Sequence, residues 1–369
     1  MIIDSVYDGY TNWLYKSNPG LENQPYVIQH SKTIHGGFHN ATVWAKPLRK
    51  LGCEVTDVFH NQVPLQIRWC IENGYKNVLE KYSKESDSSS LTLSFENILE
   101  WQEIIVEQQV RSIRPDIIWI ADLFSLGGRF LEKINGEYSF AIGEITSNID
   151  GLNLENFDLI LSGALPIVMQ LRAQGKASEL LLHGFREQIL AELESANKKF
   201  DVSFVGQLTD KRPELLRQFS KYLNINVWAN SPWDKAKTKT IGGIHWHQPV
   251  YGIDMYQTLR NSKIVINNHI SAVQQYASNQ RLYEVTGVGT MLLTDEASNL
   301  EEIFHIDKEV VSYSNPKECA NIAKYYLENP KEREAIALAG KQRTLSSHTV
   351  EHRSHNIISI LKNYFPEVF

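Results

Sequence analysis

The chain has only three cysteines in 369 residues, at positions 53, 70 and 319. They are widely spaced and form no Cys-x-x-Cys pair. That argues against a disulfide scaffold or a zinc ribbon and fits a reduced, cytoplasmic setting. No stretch approaches the ~18 consecutive apolar residues of a membrane span. The opening Met1-Ile2-Ile3-Asp4-Ser5-Val6-Tyr7 lacks a basic region followed by a long apolar core, so no signal peptide is expected. Contact with lipid is left only a peripheral form. An excess of positive charge is missing too: 37 Lys and Arg stand against 43 Asp and Glu, a net charge of −6, so no global field favours nucleic acid. The first strand–helix turn, Tyr7-Asp8-Gly9-Tyr10, has one glycine and no Gly-x-Gly-x-x-Gly, which argues against a dinucleotide-dependent dehydrogenase. His-Glu-x-x-His is absent as well, since Glu351 precedes His352 and follows Val350.

What is present is an α/β rhythm. With 42% hydrophobic and 22% charged residues, the chain is long enough for two ordinary domains. Short apolar runs predict strands at Ile2–Val6, Glu54–Phe59, Asp116–Ala121, Ser139–Ile145, Leu159–Ser162 and Leu180–His183. Amphipathic stretches such as Asn40–Leu51 and Glu96–Ile113 bracket them. Ser83–Ser90, rich in serine and charge, reads as a flexible surface loop. The rhythm then restarts. Strands are predicted at Asp201–Val205, Asn226–Ala229, Lys263–Asn267, Thr290–Thr294 and Glu309–Tyr313. Helices are predicted over Pro213–Leu223, Met255–Asn261, Gln280–Thr286 and Lys317–Leu327. The polar segment Ala191–Lys199 places a linker near 185–200. Two consecutive open α/β units predict a ligand cleft at the carboxyl ends of their strands. The helical stretch Glu332–Tyr364 is too long for one ordinary helix and is expected to bend.

The richest segment runs from Asn279 to Asp295. A charged helix start, Arg281 and Glu284, leads to Gly287 and Gly289 and then to the strand Thr290–Thr294. A helix N-terminus offers free N–H groups to phosphate, and glycines admit close backbone approach. Arg281 can chelate a phosphate and Glu284 can accept from ribose hydroxyls. A helix closing in a glycine turn before a core strand fits the same residues. Gly206-Gln207-Leu208-Thr209-Asp210-Lys211-Arg212 follows a strand and opens a helix at Pro213, either as a second phosphate cradle or as a solvated βα loop. Trp228 ends a strand and either borders a base or fills the core. Asp254, in Gly252-Ile253-Asp254-Met255-Tyr256, either faces the same pocket or caps a helix. In the first half, His35 in His35-Gly36-Gly37-Phe38, Asp122 after its strand and Glu144 near the end of its own are candidate general bases, each with a purely structural alternative. His348, His352 and His355 share a face if that stretch is helical, where a metal site or ordinary tail histidines both fit.

Taken together these segments resemble the GT-B glycosyltransferases, specifically the spore-maturation CgeB-like branch. The resemblance rests on Phe204-Val205-Gly206-Gln207, Tyr251–Tyr256, Ser262–His269, Asn279–Asp295 and the tail Ala339–Arg343 with His348-Thr349 and His352-Arg353. In the first half it rests on Asn18–Leu21, Leu65–Trp69 and Phe157–Ser162. It implies two Rossmann-like parallel α/β domains facing a central cleft: an acceptor domain at 1–190, a nucleotide-sugar donor domain at 200–345, and a C-terminal helix at 346–369 crossing back to the first. The implied donor-binding residues are Gly206, Lys211, Arg212, Trp228, Asn279, Arg281, Glu284, Thr286, Gly287 and Gly289.

The resemblance further implies a transferase moving sugar from a nucleotide-sugar to a glycan or lipid-linked acceptor, in polysaccharide or glycoconjugate synthesis. No two aspartates are separated by one residue, so the metal-holding Asp-x-Asp pair is missing; no metal and no cofactor are expected. Many retaining relatives carry a second glutamate eight positions before the one matched by Glu284, where this chain has Tyr276; Asn279 is the nearest polar substitute for a sugar contact. The retaining or inverting outcome stays open, as do two other readings: a nucleotide-sugar binding protein with a degenerate site, and a nucleotide-sugar epimerase or hydrolase.

Overall fold

The structure, a computed structural model, describes residues 1–37, 41–83, 95–209, 211–229 and 238–369. Most of the expected serine-rich loop, together with Phe38, Asn40 and Asp210, lies outside the described residues. The chain resolves into two compact units. The first comprises Met1–Ser162, Val168–Leu180 and Asn356–Phe369; the second comprises Gly163–Ile167 and Leu181–His355. Among the described residues no helix is long and apolar enough to cross a membrane.

The first unit is built on six strands: β1 Ile2–Asp4, β2 Asp57–Phe59, β3 Ile117–Ile120, β4 Phe140–Glu144, β5 Leu159–Ser162 and β6 Ser178–Leu180. They lie in the order β2-β1-β3-β4-β5-β6, every pair parallel. Parallel sheets are covered on both faces, so their strands read as unbroken apolar runs, as in the fully buried Leu159-Ile160-Leu161-Ser162. The order reverses around β1, whose two neighbours, β2 and β3, both follow it in sequence. That reversal is where open α/β sheets leave a crevice beyond the strand ends.

The second unit carries β7 Phe200–Val205, β8 Ile225–Trp228, β9 Thr238–Ile241, β10 Ile244–His247, β11 Ser262–Asn267, β12 Met291–Asp295 and β13 Val311–Tyr313, in the order β13-β12-β11-β7-β8-β10-β9. Only the edge strand β9 runs antiparallel to its neighbour. The chain winds outward in one direction from β7 and in the other from β11, so the reversal lies between these two. Alternation along the strands feeds two cores: Ile264, Ile266, Met291 and Leu293 face one side, Val265 and Leu292 the other.

Strands β9 and β10 are absent from the sequence expectations. The turn between them is Gly242-Gly243, at φ of +54° and +82°, the left-handed backbone that a two-residue hairpin turn requires. The linker expected near 185–200 instead packs within the second unit: Phe185 and Ile189 are buried in its core. The predicted bend in the last helical stretch is a full break, with helices at Pro330–Ser347 and Val350–Tyr364. Phe185 causes it. Its N–H donates to His348 O at 2.7 Å and its carbonyl accepts from Val350 N at 3.0 Å, drawing the helix's own backbone groups out of register. Gly184 allows this approach, since a Cβ there would lie 2.8 Å from the Thr349 carbonyl.

Candidate active site

Two groups of polar side chains sit at strand carboxyl ends, one in each unit. In the second unit the group lies at the β7/β11 reversal. Thr209, Lys211, Arg212, Asn268 and His269 line a pocket of about 170 Å³ there. Arg212 ties the two strand-end loops together: Nη1 donates to Gln207 O at 3.0 Å and Nη2 to Asn268 O at 2.8 Å. Lys211 is exposed. His269 follows β11 and is held by Asp295, the last residue of β12. The Asp295 carboxylate accepts from His269 Nδ1 at 2.7 Å, from His269 N at 3.1 Å and from Asn268 Nδ2 at 2.7 Å. A carboxylate only accepts, so Nδ1 carries a hydrogen and the ring's orientation is set. Nε2 of His269 and the hydroxyl of Thr209 are buried without a hydrogen-bond partner among the described residues. A buried polar group costs free energy unless something pairs with it. Two such groups beside two cations fit a phosphate oxygen. His269 is the main residue that sequence reasoning missed here; its signal is a polar pair, Asn268-His269, directly behind an apolar strand.

The neighbouring helix Arg281–Gly287 changes several expectations. Glu284 is 4% exposed, and its carboxylate is already engaged, by Arg281 Nη1 at 2.6 Å and the Tyr256 hydroxyl at 3.2 Å. Arg281 thus neutralises Glu284 one turn away; its Nη1 also touches Met255 Sδ. Glu284→Gln is therefore expected to destabilise the fold by about 1–3 kcal/mol, through a guanidinium left without its charge partner, and not merely to weaken a ligand. A thermal melt on the variant checks this. Asn279 donates its amide to Asn267 Oδ1 at 2.7 Å and so braces the end of β11.

Thr286 is buried; its hydroxyl bonds Leu282 O and Thr344 Oγ1 in the packing of two helices. Gly287 makes room for Phe185, whose ring a Cβ would meet at 2.5 Å. Gly289 turns the chain at φ +78° beside Lys341. These three lie where β12 begins, about 10 Å along the helix from Arg281 and at the edge of the sheet opposite Asp295. In the structure they pack two helices together and turn the chain. Gly206 does follow β7 at the carboxyl edge, its N–H on Trp228 O at 3.1 Å. Trp228 itself is core: it stacks on His247 at 4.2 Å and meets Phe200 edge-on at 4.8 Å. Asp254 sits in the first turn of the helix Gly252–Arg260, not at its cap. His348 lies in the break between helices, so it shares no helical face with His352 and His355. Its Nε2 donates to Ile303 O and its Nδ1 accepts from Arg353 Nη2. Burial, with Arg353 nearby, lowers its pKa to about 4 and keeps it neutral. Among the described residues no group of three or more His, Cys, Asp or Glu is placed to hold a metal.

In the first unit four ionisable groups crown four adjacent strands: His60 after β2, Asp4 on β1, Asp122 after β3 and Glu144 on β4. His60 Nε2 meets Asp122 Oδ2 at 3.0 Å, and Ser125 donates to Asp122 from both its N–H and its hydroxyl. Burial works against the Asp122 charge, but these donors outweigh it and bring the pKa down to about 2. Asp4 takes N–H bonds from Ser5 and Ala41, yet burial lifts it to about 7. Burial first, then the charge of Asp4, lifts Glu144 to about 8, while Trp119 Nε1 donates to it at 3.1 Å. His35 is elsewhere: it is exposed at the end of the helix Tyr26–His35, its Nδ1 on Ser31 O at 2.7 Å. The structure thus does not bring His35 together with the four strand-end groups. Asp4 and His60, unpredicted, end strands just as Asp122 and Glu144 do.

Comparison with known proteins agrees with this architecture. Residues 187–359 match the family described as glycosyl transferase-like. Among solved structures, a glycosyltransferase from Rickettsia africae matches over 98% of both chains at 10% identity and a TM-score of 0.54. Anabaena HepE in complex with UDP-glucose matches over 79% of this chain and 89% of its own, at 11% identity and 0.56. Sucrose-phosphate synthase from Thermosynechococcus elongatus matches over 76% and 81%, at 10% and 0.53. The fold is GT-B. At these identities the structural likeness is one of fold alone, and no curated protein matches in sequence. The glycosyl transferase-like region takes in the whole β7/β11 pocket, together with Glu284 and Asp295.

Proposed function

We propose that the protein is a glycosyltransferase that seats the diphosphate of a nucleotide-sugar at the β7/β11 reversal. The observation carrying this reading is the pocket in which Lys211, Arg212, Thr209 and His269 converge on a space lacking a partner for two buried polar atoms. Charge on a leaving diphosphate grows in the transition state, and preorganised donors stabilise it without reorganising. Glu284 and Arg281 lie one element away; Nε and Nη2 of Arg281 make no hydrogen bond among the described residues, and this reading gives them a phosphate oxygen. In the first unit we assign proton removal from the acceptor hydroxyl to Glu144. Asp122, held ionised, is a weak base, whereas a carboxylate that titrates near 8 is a strong one close to neutral pH. The acceptor is a glycan or lipid-linked saccharide; the segments quoted above support the CgeB-like branch, and the three scattered cysteines fit a cytoplasmic site of action.

The same reading assigns diphosphate neutralisation to Lys211, Arg212 and His269 without a metal. Sugar transfer measured by product formation should therefore persist in excess EDTA. Loss in EDTA with recovery on adding magnesium or manganese would overturn this part. Turnover assays with UDP-sugars, with and without saccharide acceptors, test the whole reading. Binding without any turnover would favour the nucleotide-sugar binding protein, and turnover without acceptor the epimerase or hydrolase.

A further inference from the structure

A second pocket, of about 270 Å³, opens at the other edge of the second sheet. Lys198, Arg260, Lys263, Arg333 and Lys341 line it, with Glu334 as their only acidic companion. Lys198 fixes its place: Nζ donates to Ser262 O at 2.9 Å and to Thr290 Oγ1 at 2.8 Å, where β11 and β12 begin. The six residues of β11 separate this edge from His269 by about 20 Å. Arg333 and Lys341, eight residues apart, share a face of the helix Pro330–Ser347.

The protein itself cancels little of this charge. Lys263 bonds Asp201 at 2.5 Å. Arg333 is 7% exposed and donates to Tyr326 O, but reaches the outward-facing Glu334 only at 3.5 Å. Arg260 and Lys341 make no hydrogen bond or ion pair among the described residues, and Arg260 Nε is buried without a partner. Setting aside the two paired cations leaves three of the five, Lys198, Arg260 and Lys341, gathered in a chain whose net charge is −6. Burial, and then the charges of Arg333 and Arg260, push the Lys198 ammonium down to about 8, with Glu334 opposing the shift in part.

We infer that this pocket is an anion site, separate from the donor pocket, that takes a phosphate group. A phosphomonoester is largely a dianion at neutral pH, its second pKa being about 6, and it offers three acceptor oxygens to the converging donors. The group comes either from a soluble phosphate ester or from the headgroup of an anionic lipid. Inorganic phosphate is the probe, titrated calorimetrically into the full chain carrying Lys211→Gln and Arg212→Gln, which removes both cations of the donor pocket. Binding should persist in that background and weaken about tenfold or more when Arg260→Gln and Lys341→Gln are added, since each removes a charge-assisted contact. Both side chains are partly exposed, so a thermal melt should show the fold retained.

Vesicles of phosphatidic acid, whose headgroup is a phosphomonoester, in phosphatidylcholine distinguish the sources. Retention that the double substitution abolishes assigns a lipid headgroup; phosphate binding without retention assigns a soluble ester. Absence of both, or phosphate affinity indifferent to the double substitution, overturns the site. Failure of the donor reading would leave this result untouched, because the two pockets share no residue.

Discussion

His269→Ala is expected to lower kcat for sugar transfer about a hundredfold to a thousandfold while KM for the donor changes little. The imidazole is buried at the donor pocket with Nε2 unpartnered, so in the empty protein that nitrogen contributes nothing to folding. Its contribution arises when a phosphate oxygen arrives. With Nδ1–H on Asp295, Nε2 donates only as the imidazolium, which the carboxylate on one side and the phosphate on the other both favour. The contribution grows with the charge on that oxygen. Removing one such preorganised donor costs 10²–10³ in kcat, roughly 2.7–4 kcal/mol of transition-state stabilisation. An interaction realised mainly in the transition state shows in kcat and not in KM. The fold should survive, because Asp295 keeps the Asn268 amide and the backbone N–H of residue 269 as donors. His269→Gln, which carries a donor to about the Nε2 position, should recover part of the loss. A well-folded alanine variant with normal kcat would remove His269 from the diphosphate site.

The two-unit architecture was legible because apolar runs in parallel sheets need no alternation to be recognised, and eleven of the thirteen strands lie on or beside the expected segments. The two that were missed, β9 and β10, are short and mix Thr, Lys and His into their apolar pattern. Their clearest signal was the Gly242-Gly243 pair, a turn cue rather than a hydrophobic one. Missing β10 hid His247 and with it the stack that makes Trp228 a core residue. The pairing of Arg281 with Glu284 was legible in principle, since charges three apart on a helix meet. Reading both as ligand contacts overlooked that they satisfy each other first. Sequence order puts the glycines of Gly287–Gly289 beside Arg281, whereas the helix carries them to the opposite edge of the sheet. In the first unit the rule that polar groups gather at strand ends leads to Asp122 and Glu144. Applied to every strand, it would have found Asp4 and His60 as well. His35 was chosen on its glycine neighbours, which here close a helix.

Glu144→Gln separates chemistry from stability through opposite responses. The assigned base must be ionised to accept a proton, so kcat/KM in the parent protein should rise with pH through a midpoint near 8, the value to which burial and Asp4 lift Glu144. Glutamine cannot accept that proton, so the variant should lose about 10²–10⁴ in rate and its remaining activity should be flat across that range. Stability moves the other way. The folded pKa of Glu144, about 8, lies above its ordinary value of 4.5. Its contribution to stability is thus fully present below about 4.5 and is lost as pH rises through about 8. The variant has no such group to ionise. Its unfolding free energy should therefore fall less than the parent's between about pH 5 and 9, by an amount on the order of 1–3 kcal/mol, since Glu144 keeps some exposure and Asp4 titrates beside it. Urea unfolding at pH 5, 7 and 9 beside pH–rate profiles measures both. A variant that is more resistant to unfolding at pH 9 yet nearly inactive places the missing function in the chemistry. A pH–rate profile that keeps the parent's rise after Glu144→Gln would move the base to another group.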